Sequence, residues 1–251
     1  MIRQIAVFSD VHANLPALKA VLEDIDARQI TEIYCLGDLV DFAPWPNEVI
    51  ELIRQRQIPT VMGNHDDRVA FDRPVTPMAK HPPEERDARV EAIALSKATI
   101  SAENMAYLRD LPFKRRVVLG EGDKAKSLLL VHASANAIHE YIYEDHSPSA
   151  LAEMCAANHA DGMLMGHTHY AYVRQLVTEQ GKSLLIGNTG ATGRIKPGEP
   201  LATYMICTWQ EGDISAEIVT VEYNVVETVS AIIHSQIPDF YAKELINNSL
   251  G

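Results

Sequence analysis

Five short apolar runs in this chain each break off into a side chain able to bind a metal, and that repetition constrains the fold more than any other feature. Ile2–Phe8 ends in Ser9-Asp10-Val11-His12, Ile33–Leu36 in Gly37-Asp38, Thr60–Met62 in Gly63-Asn64, Leu128–Val131 in His132, and Met163–Met165 in Gly166-His167-Thr168-His169. Short apolar runs bounded by glycine and polar residues read as buried strands. Between the first three, apolar residues recur at helical spacing. Leu15, Leu18, Val21, Leu22 and Ile25 follow Asn14 as N-cap and Pro16 in the first turn, and Val49, Ile50, Leu52 and Ile53 follow Asn47 as a second cap. The order is β-α-β-α-β, an α/β arrangement with polar residues at the carboxyl ends of the strands, the edge where ligands bind in such sheets.

The rest of the chain changes texture. Residues 72–112 hold a proline-punctuated loop and an amphipathic region from Glu84 through Leu111, expected as a helical cap inserted into one domain spanning 1–251. Ser147-Pro148 opens a helix on Leu151, Met154 and Cys155. Tyr172–Val177, Ser183–Ile186, Thr203–Trp209 and Ile214–Val221 read as strands, and Val225–Ser235 and Asp239–Asn247 as helices of a C-terminal segment, 225–251.

Composition narrows the chemistry. With 251 residues, 47% of them hydrophobic, the chain can fill one large core. Its formal charge of −12 argues against an extended nucleic-acid surface, which needs clustered Lys and Arg. No apolar stretch approaches a membrane span, and Met1 leads directly into a strand-like run, so a soluble cytoplasmic protein is expected. Cys35, Cys155 and Cys207 lie far apart in apolar runs and read as reduced core residues.

Carboxylates and imidazoles together suit first-row divalent ions, and without thiolates the set does not match a structural zinc site. Glycines 37, 63 and 166 let the backbone turn and approach a ligand closely. In extended backbone, alternate residues such as 10 and 12, or 167 and 169, point the same way, so one segment supplies two ligands.

The blocks Asp10-Val11-His12, Gly37-Asp38-Leu39-Val40-Asp41, Gly63-Asn64-His65-Asp66, Val131-His132 and Gly166-His167-Thr168-His169 match, in order, the signature of the calcineurin-like metallophosphoesterases, which the chain resembles. Leu108–Pro112 and Asn188–Gly193 are similar to the cap ending and glycine-rich loop of its small bacterial phosphodiesterase branch, related to YfcE. The resemblance implies a four-layer α-β-β-α sandwich of two mixed sheets flanked by helices, with a small helical cap. It also implies a dinuclear phosphoesterase that cleaves phosphodiester or phosphomonoester bonds of a small substrate, a nucleotide or dinucleoside polyphosphate being candidates, by attack of metal-bound hydroxide. Asp10, His12, Asp38 and His169 would hold one ion and Asp38, Asn64, His132 and His167 the other, with Asp38 bridging. Manganese is the expected ion, with iron, zinc, cobalt, nickel and magnesium as alternatives. His65 would stabilise or protonate the departing oxygen, its ring oriented by Asp66, itself a catalytic candidate, or by Asp41 behind it.

Other positions divide between roles. Asn14 fits helix capping or substrate contact equally. Arg194 and Lys196, after the glycine-rich loop, are the nearest cations for a phosphate, although Gly193 and Pro197-Gly198 also fit a solvated turn. His81, His139, His146, His159 and His234 read as surface or packing residues. A phosphoprotein phosphatase is the main alternative, weakened because Phe42-Ala43 stands where that branch has Arg-Gly; the small-phosphodiesterase branch commonly has Tyr-Gly-Pro where this chain has Phe42-Ala43-Pro44. A non-catalytic metal-binding scaffold is the third reading.

Overall fold

The alternation of apolar residues in each strand builds two sheets with a shared core and two helical outer faces. The computed structural model describes residues 2–75, 82–194 and 201–249. Strand β1 (Ile2–Phe8) pairs in parallel with β2 (Ile33–Cys35) and antiparallel with β8 (Ala202–Gln210), which pairs with β9 (Asp213–Val221), giving the order β2-β1-β8-β9. The second sheet runs β3-β4-β5-β7-β6, from β3 (Lys114–Leu119), β4 (Lys126–Val131), β5 (Gly162–Met165), β6 (Ala171–Val177) and β7 (Ser183–Thr189). Its β4-β5-β7 core is parallel and both edges antiparallel, so both sheets are mixed.

Successive side chains of a strand face opposite ways. Ile5 and Val7 of β1 therefore meet Met205 and Cys207 of β8 and Leu128, Leu130, Leu164 and Leu185 of the other sheet in the central core. Ala6 and Phe8 face outward onto Leu18, Val21 and Ile25 of α1 (Leu15–Ala27) and Ile50 and Ile53 of α2 (Pro46–Gln55). On the far side, Leu129, Val131, Met163 and Met165 pack under Leu151, Met154 and Cys155 of α6 (Pro148–Ala157). Each fully buried side chain of this kind contributes about 1.5–3 kcal/mol, so the layers follow from burying both faces of each sheet. This is the four-layer α-β-β-α arrangement expected above. All three cysteines are buried and unpaired.

The remaining helices lie over the sheet ends. A short helix α3 (Asn64–Ala70), the pair α4 (Pro83–Thr99) and α5 (Ala102–Arg109), and the C-terminal α7 (Val225–Ile233) and α8 (Phe240–Ser249) complete the chain. Ala88 and Ala92 of α4, Ile232 of α7 and Tyr241, Ala242 and Leu245 of α8 close over Phe42 in a separate apolar cluster.

Two local expectations fail, and one strand was not legible in the sequence. Thr60–Met62 is no strand: Pro59 precedes it, and it makes one parallel bridge, Cys35 to Thr60, before the Met62 N–H turns to the Pro112 carbonyl. Asn47 does not cap α2, because Pro46 is already its first residue; the Asn47 side chain instead accepts from the Ser101 N–H at 2.9 Å and ties α2 to α5. Strand β3 was hidden by Lys114, Arg115 and Arg116, charges that suit a sheet edge, with only Val117 and Leu119 of the strand buried.

Candidate metal centre

Two of the parallel strand pairs, β1/β2 and β4/β5, deliver their carboxyl-end loops to one place. The loops are stitched by backbone bonds: Asp10 N–H to Gly37 O (3.0 Å), His12 N–H to Asp38 O (2.9 Å) and Gly166 N–H to His132 O (2.8 Å). Asp10, His12, Asp38, Asn64, His132, His167 and His169 are all buried there, none more than 9% exposed. The backbone is not the extended one expected for the alternating pairs. Asp10, His12, Asp38, His167 and His169 have φ between 47° and 66°, the left-handed region that L-residues rarely occupy. A strand ending in an immediate reversal turns its last side chains back across the sheet edge, and such strained positions concentrate at functional sites. Glycine is obligatory beside them: a Cβ at Gly63 would strike the Asp38 carboxylate, and one at Gly166 would strike the Ser9 hydroxyl and the Asp10 carboxylate.

The imidazoles are held in one tautomer. His12 Nδ1 faces Val40 O at 3.1 Å, His132 Nδ1 faces Leu36 O at 2.9 Å, and His169 Nδ1 faces Arg194 O at 2.7 Å. A carbonyl only accepts, so each Nδ1 carries a hydrogen and each ring directs its Nε2 inward, where the unprotonated nitrogen presents a lone pair. Those lone pairs meet other acceptors. His12 Nε2 and His169 Nε2 lie 3.2 Å apart, and His169 Nε2 lies 3.1 Å from Asp10 Oδ1, an oxygen with no hydrogen-bond partner. His167 Nε2 is likewise buried without a partner. Acceptors converging on acceptors are unfavourable until a cation stands among them. The residues therefore fit a divalent metal. Asp10, His12 and His169 form one group of converging ligand atoms and Asp10, Asp38 and His132 another, each within 4.8 Å. Asp10 belongs to both, and Asp38 Oδ2 also stands between the two sides, 3.8 Å from His12 Nε2 and 3.4 Å from His132 Nε2.

Charge tells the same story. Although burial works against it, the surrounding imidazoles hold the Asp10 and Asp38 carboxyls well below the usual range. Burial opposes the charging of His132 too, but the Asp38 carboxylate and then Asp10 push it up to about 9. A proton on His132 thus stands where positive charge is needed. For His12 and His167 burial dominates, and both are pushed down, His167 to about 3, so both rings are neutral.

Around this centre the other expected residues divide. His65 heads α3, its N–H donates to Asp38 Oδ1 at 2.8 Å, and its Nδ1 lies 2.6 Å from Asp41 Oδ2. Asp41 is thus the carboxylate that meets the His65 ring. Asp66 is not: its oxygens accept from the N–H groups of Asp38 (2.8 Å), Leu39 (2.8 Å) and Gly63 (2.9 Å), fastening the two ligand loops together. As third residue of α3 it caps that helix rather than reaching the chemistry. Asn14 is a cap and a strut. Its Oδ1 accepts from Ala17 N–H (3.2 Å) and Thr228 (3.0 Å), its Nδ2 donates to Gly193 O (2.9 Å), and it is wholly buried, which leaves the substrate-contact alternative without an atom to use. Arg194 also departs from expectation: Glu244 takes it bidentately at 2.9 and 3.0 Å, and its guanidinium lies 4.3 Å over the Phe42 ring. It joins α8 to the site wall, so it is no free phosphate clamp. Lys196 and His81 lie outside the described residues. His139, His159 and His234 are exposed and His146 is half-buried, away from the cluster's hydrogen bonds.

Several neighbours went unread in the sequence. Ser9 donates to Asp10 Oδ2 at 2.6 Å, and the Asn188 amide donates to Gly166 O at 2.6 Å, bracing the histidine turn from the glycine-rich loop. Phe42 packs between His12 (4.8 Å), His65 (4.9 Å) and Tyr241 (4.7 Å), and Tyr141 covers His167 at 4.3 Å. Arg68, one helical turn beyond His65, had a readable signal in its spacing; Arg89 and Tyr241 had none, because only tertiary folding brings them here.

Comparison with known proteins agrees with this geometry. The calcineurin-like phosphoesterase superfamily domain matches residues 4–212. Protein MJ0912 of Methanocaldococcus jannaschii is 33% identical over 253 residues, covering 96% of both chains. A crystal structure of a metallophosphoesterase from Sphaerobacter thermophilus superposes with a TM-score of 0.73 at 28% identity, over 98% of this chain and 99% of that one. The structure of PH1004 from Pyrococcus horikoshii OT3 shares the fold, with a TM-score of 0.78 at 22% identity over 96% and 97% of the two chains. Among the described residues no helix is long and apolar enough to cross a membrane. The donor set, its strand-end placement and these matches lead to one conclusion: the chain belongs to the calcineurin-like phosphoesterase superfamily and is a metal-dependent phosphoesterase.

Proposed function

We propose that the chain hydrolyses phosphodiester or phosphomonoester bonds of a small, nucleotide-type substrate at a dinuclear centre. The observation that carries this reading is the Asp38 carboxylate set between two flanks of inward-facing lone pairs. Asp10, His12, Asp38 and His169 would hold one ion and Asp38, Asn64, His132 and His167 the other, in agreement with the ring orientations fixed by Val40, Leu36 and Arg194 carbonyls. When bound, such an ion pair supplies an acidified water and polarised phosphoryl oxygens. Manganese is the ion we expect, since oxygen and imidazole donors suit it.

The chain's own part is positioning and proton handling. Asp41 fixes the His65 ring through Nδ1, leaving Nε2 to meet the departing oxygen. Burial and then the charges of Arg68, Arg89 and Arg194 push the His65 imidazole well below its ordinary value, with Asp38 opposing them, so it is neutral until a phosphate brings compensating charge. Under that charge it takes up a proton from solvent and passes it to the leaving group. Phe42 and Tyr241 exclude water from this side. The test is turnover of a chromogenic phosphodiester with Mn²⁺. Undiminished rate after thorough chelation would sink the reading, and so would His65→Ala if it lost an ion rather than rate.

A further inference from the structure

Tyr141, Tyr143 and Tyr170 stand in a row on the rim of the metal centre, and the chemistry proposed above leaves them without a task. Tyr141 lies over the His167 ring at 4.3 Å, Tyr143 lies 6.0 Å from Tyr141 with an angle of 14° between the ring planes, and Tyr170 lies 6.4 Å from Tyr143, tilted by 55°. Ring-to-ring steps of 4.3 and 6.0 Å thus lead from a candidate ligand imidazole to the surface, where Tyr143 is 42% and Tyr170 44% exposed.

The segments that carry these rings are braced. Residues 132–147, between β4 and α6, form a connection without helix or strand, of a length that compact domains keep mainly for function. Ile142 anchors it: the side chain is buried in the core under α6 and the carbonyl accepts the Tyr172 hydroxyl at 3.0 Å, which leaves the flanking Tyr141 and Tyr143 side by side. Tyr170 directly follows His169. Its N–H donates to Thr168 Oγ1 at 3.2 Å, and that oxygen also accepts the Asn188 amide at 3.1 Å. The rings therefore sit on the same two loops that present His132, His167 and His169.

Single exposed aromatics need no explanation, but a contiguous set against a reactive centre marks a place where a ligand binds. Separations of 6.0 and 6.4 Å are at the loose end of aromatic contacts, so these rings cover one another only in part. A flat π-system would cover what they leave open at little cost in entropy, because a tyrosine has few torsions to fix. Charge narrows the class. Glu144 and Asp145, exposed carboxylates directly after Tyr143, disfavour a further phosphate there, and Arg174, a cation that reaches this loop, donates to the His146 carbonyl at 2.9 Å. An uncharged aromatic base suits this flank better than a polyphosphate tail.

We propose that Tyr143 and Tyr170, backed by Tyr141, form a stacking platform for the nucleobase of the substrate. His65, assigned to the departing oxygen, packs on His12 at 5.0 Å and Phe42 at 4.9 Å, whereas the tyrosines adjoin His167, so the base belongs to the part that stays on phosphorus. The substrate class is then a nucleoside phosphodiester, cleaved at the ester bond that does not carry the nucleoside. This deepens the phosphoesterase reading and rests on it.

Calorimetry on the Mn²⁺-loaded protein reads the platform without turnover, using the phosphonate analogue of AMP in which a methylene replaces the ester oxygen, and the matching ribose phosphonate without a base. The base should tighten binding at least about tenfold, and Tyr143→Ala and Tyr170→Ala should each weaken the AMP analogue at least about fivefold while leaving the ribose phosphonate unchanged. Tyr143→Phe and Tyr170→Phe keep the ring and should bind as the parent does. In kinetics the alanine variants should lose at least about fivefold in kcat/KM on the p-nitrophenyl ester of thymidine monophosphate and nothing on methyl p-nitrophenyl phosphate, which has the same leaving group. Equal affinity for the two phosphonates, alanine variants that weaken both or neither, or phenylalanine variants as weak as the alanine ones, would overturn the platform. Base-dependent binding with no turnover of either ester would overturn the phosphoesterase reading instead.

Discussion

Replacing Asp66 separates a structural carboxylate from a catalytic one. Its two oxygens accept three buried N–H groups, from Asp38, Leu39 and Gly63. In Asp66→Ala all three lose their acceptor. At about 1–3 kcal/mol for each stranded group the loss is roughly 3–9 kcal/mol, and entering water holds it near the lower half of that range. Asp66→Asn keeps one oxygen, enough for two of the donors, and turns an NH₂ toward the third, so it should cost roughly 1–3 kcal/mol. Urea unfolding at pH 8 measures both, with chelator present because ion binding to the folded state would add apparent stability. Asp66→Asn, refolded and loaded with metal, should retain turnover to within about tenfold, equivalent to about 1.4 kcal/mol of misplacement. The reasoning is refuted if both variants unfold within about 0.5 kcal/mol of the parent, or if Asp66→Asn loses a thousandfold in rate at unchanged stability. The latter would return Asp66 to the chemistry.

Other consequences are equally direct. Mn²⁺ at a hundred times its Kd should raise the stability of the chelated protein by about 2.7 kcal/mol, roughly 5–10 °C in Tm, and calorimetric scans of Asp10→Ala and Asp38→Ala should show no such rise. Gly166→Ala drives a Cβ into the Asp10 carboxylate, so it should weaken Mn²⁺ binding in equilibrium dialysis by at least about tenfold, whereas an unchanged affinity would mean that the turn yields freely. Asp41→Asn should lower kcat by about 10²–10³ with the metal content unchanged, because a neutral amide no longer fixes and supports the His65 ring; metal loss by elemental analysis would contradict this. His132, pushed up to about 9 by the flanking carboxylates, must lose its Nε2 proton before it ligates. Metal binding near pH 7.5 should therefore release one proton or more per protein in a pH-stat, with affinity falling as pH falls; binding without proton release would show that His132 is not a ligand.

Much of this protein was legible before folding because its information is local. Each apolar run ending in Asp or His states at once that a strand is buried and that its carboxyl end carries a ligand, and the helix pattern after Asn14 fixes the crossover. The α/β class and the positions of the seven donors were readable there, the four layers were implied by the family resemblance, and the order of strands in each sheet was decided only on folding. Tertiary structure alone decided what surrounds the donors. Whether Asp41 or Asp66 supports His65 depends on which carboxylate the α3 backbone consumes, and capping took Asp66. Arg194 was lost as a phosphate contact because α8, far away in sequence, brings Glu244 to it. Arg89 and Tyr241 reach the site only by helix packing. Local patterns specify backbone and ligand type, whereas the pairing of charges is settled between segments distant in the chain, where no spacing rule applies.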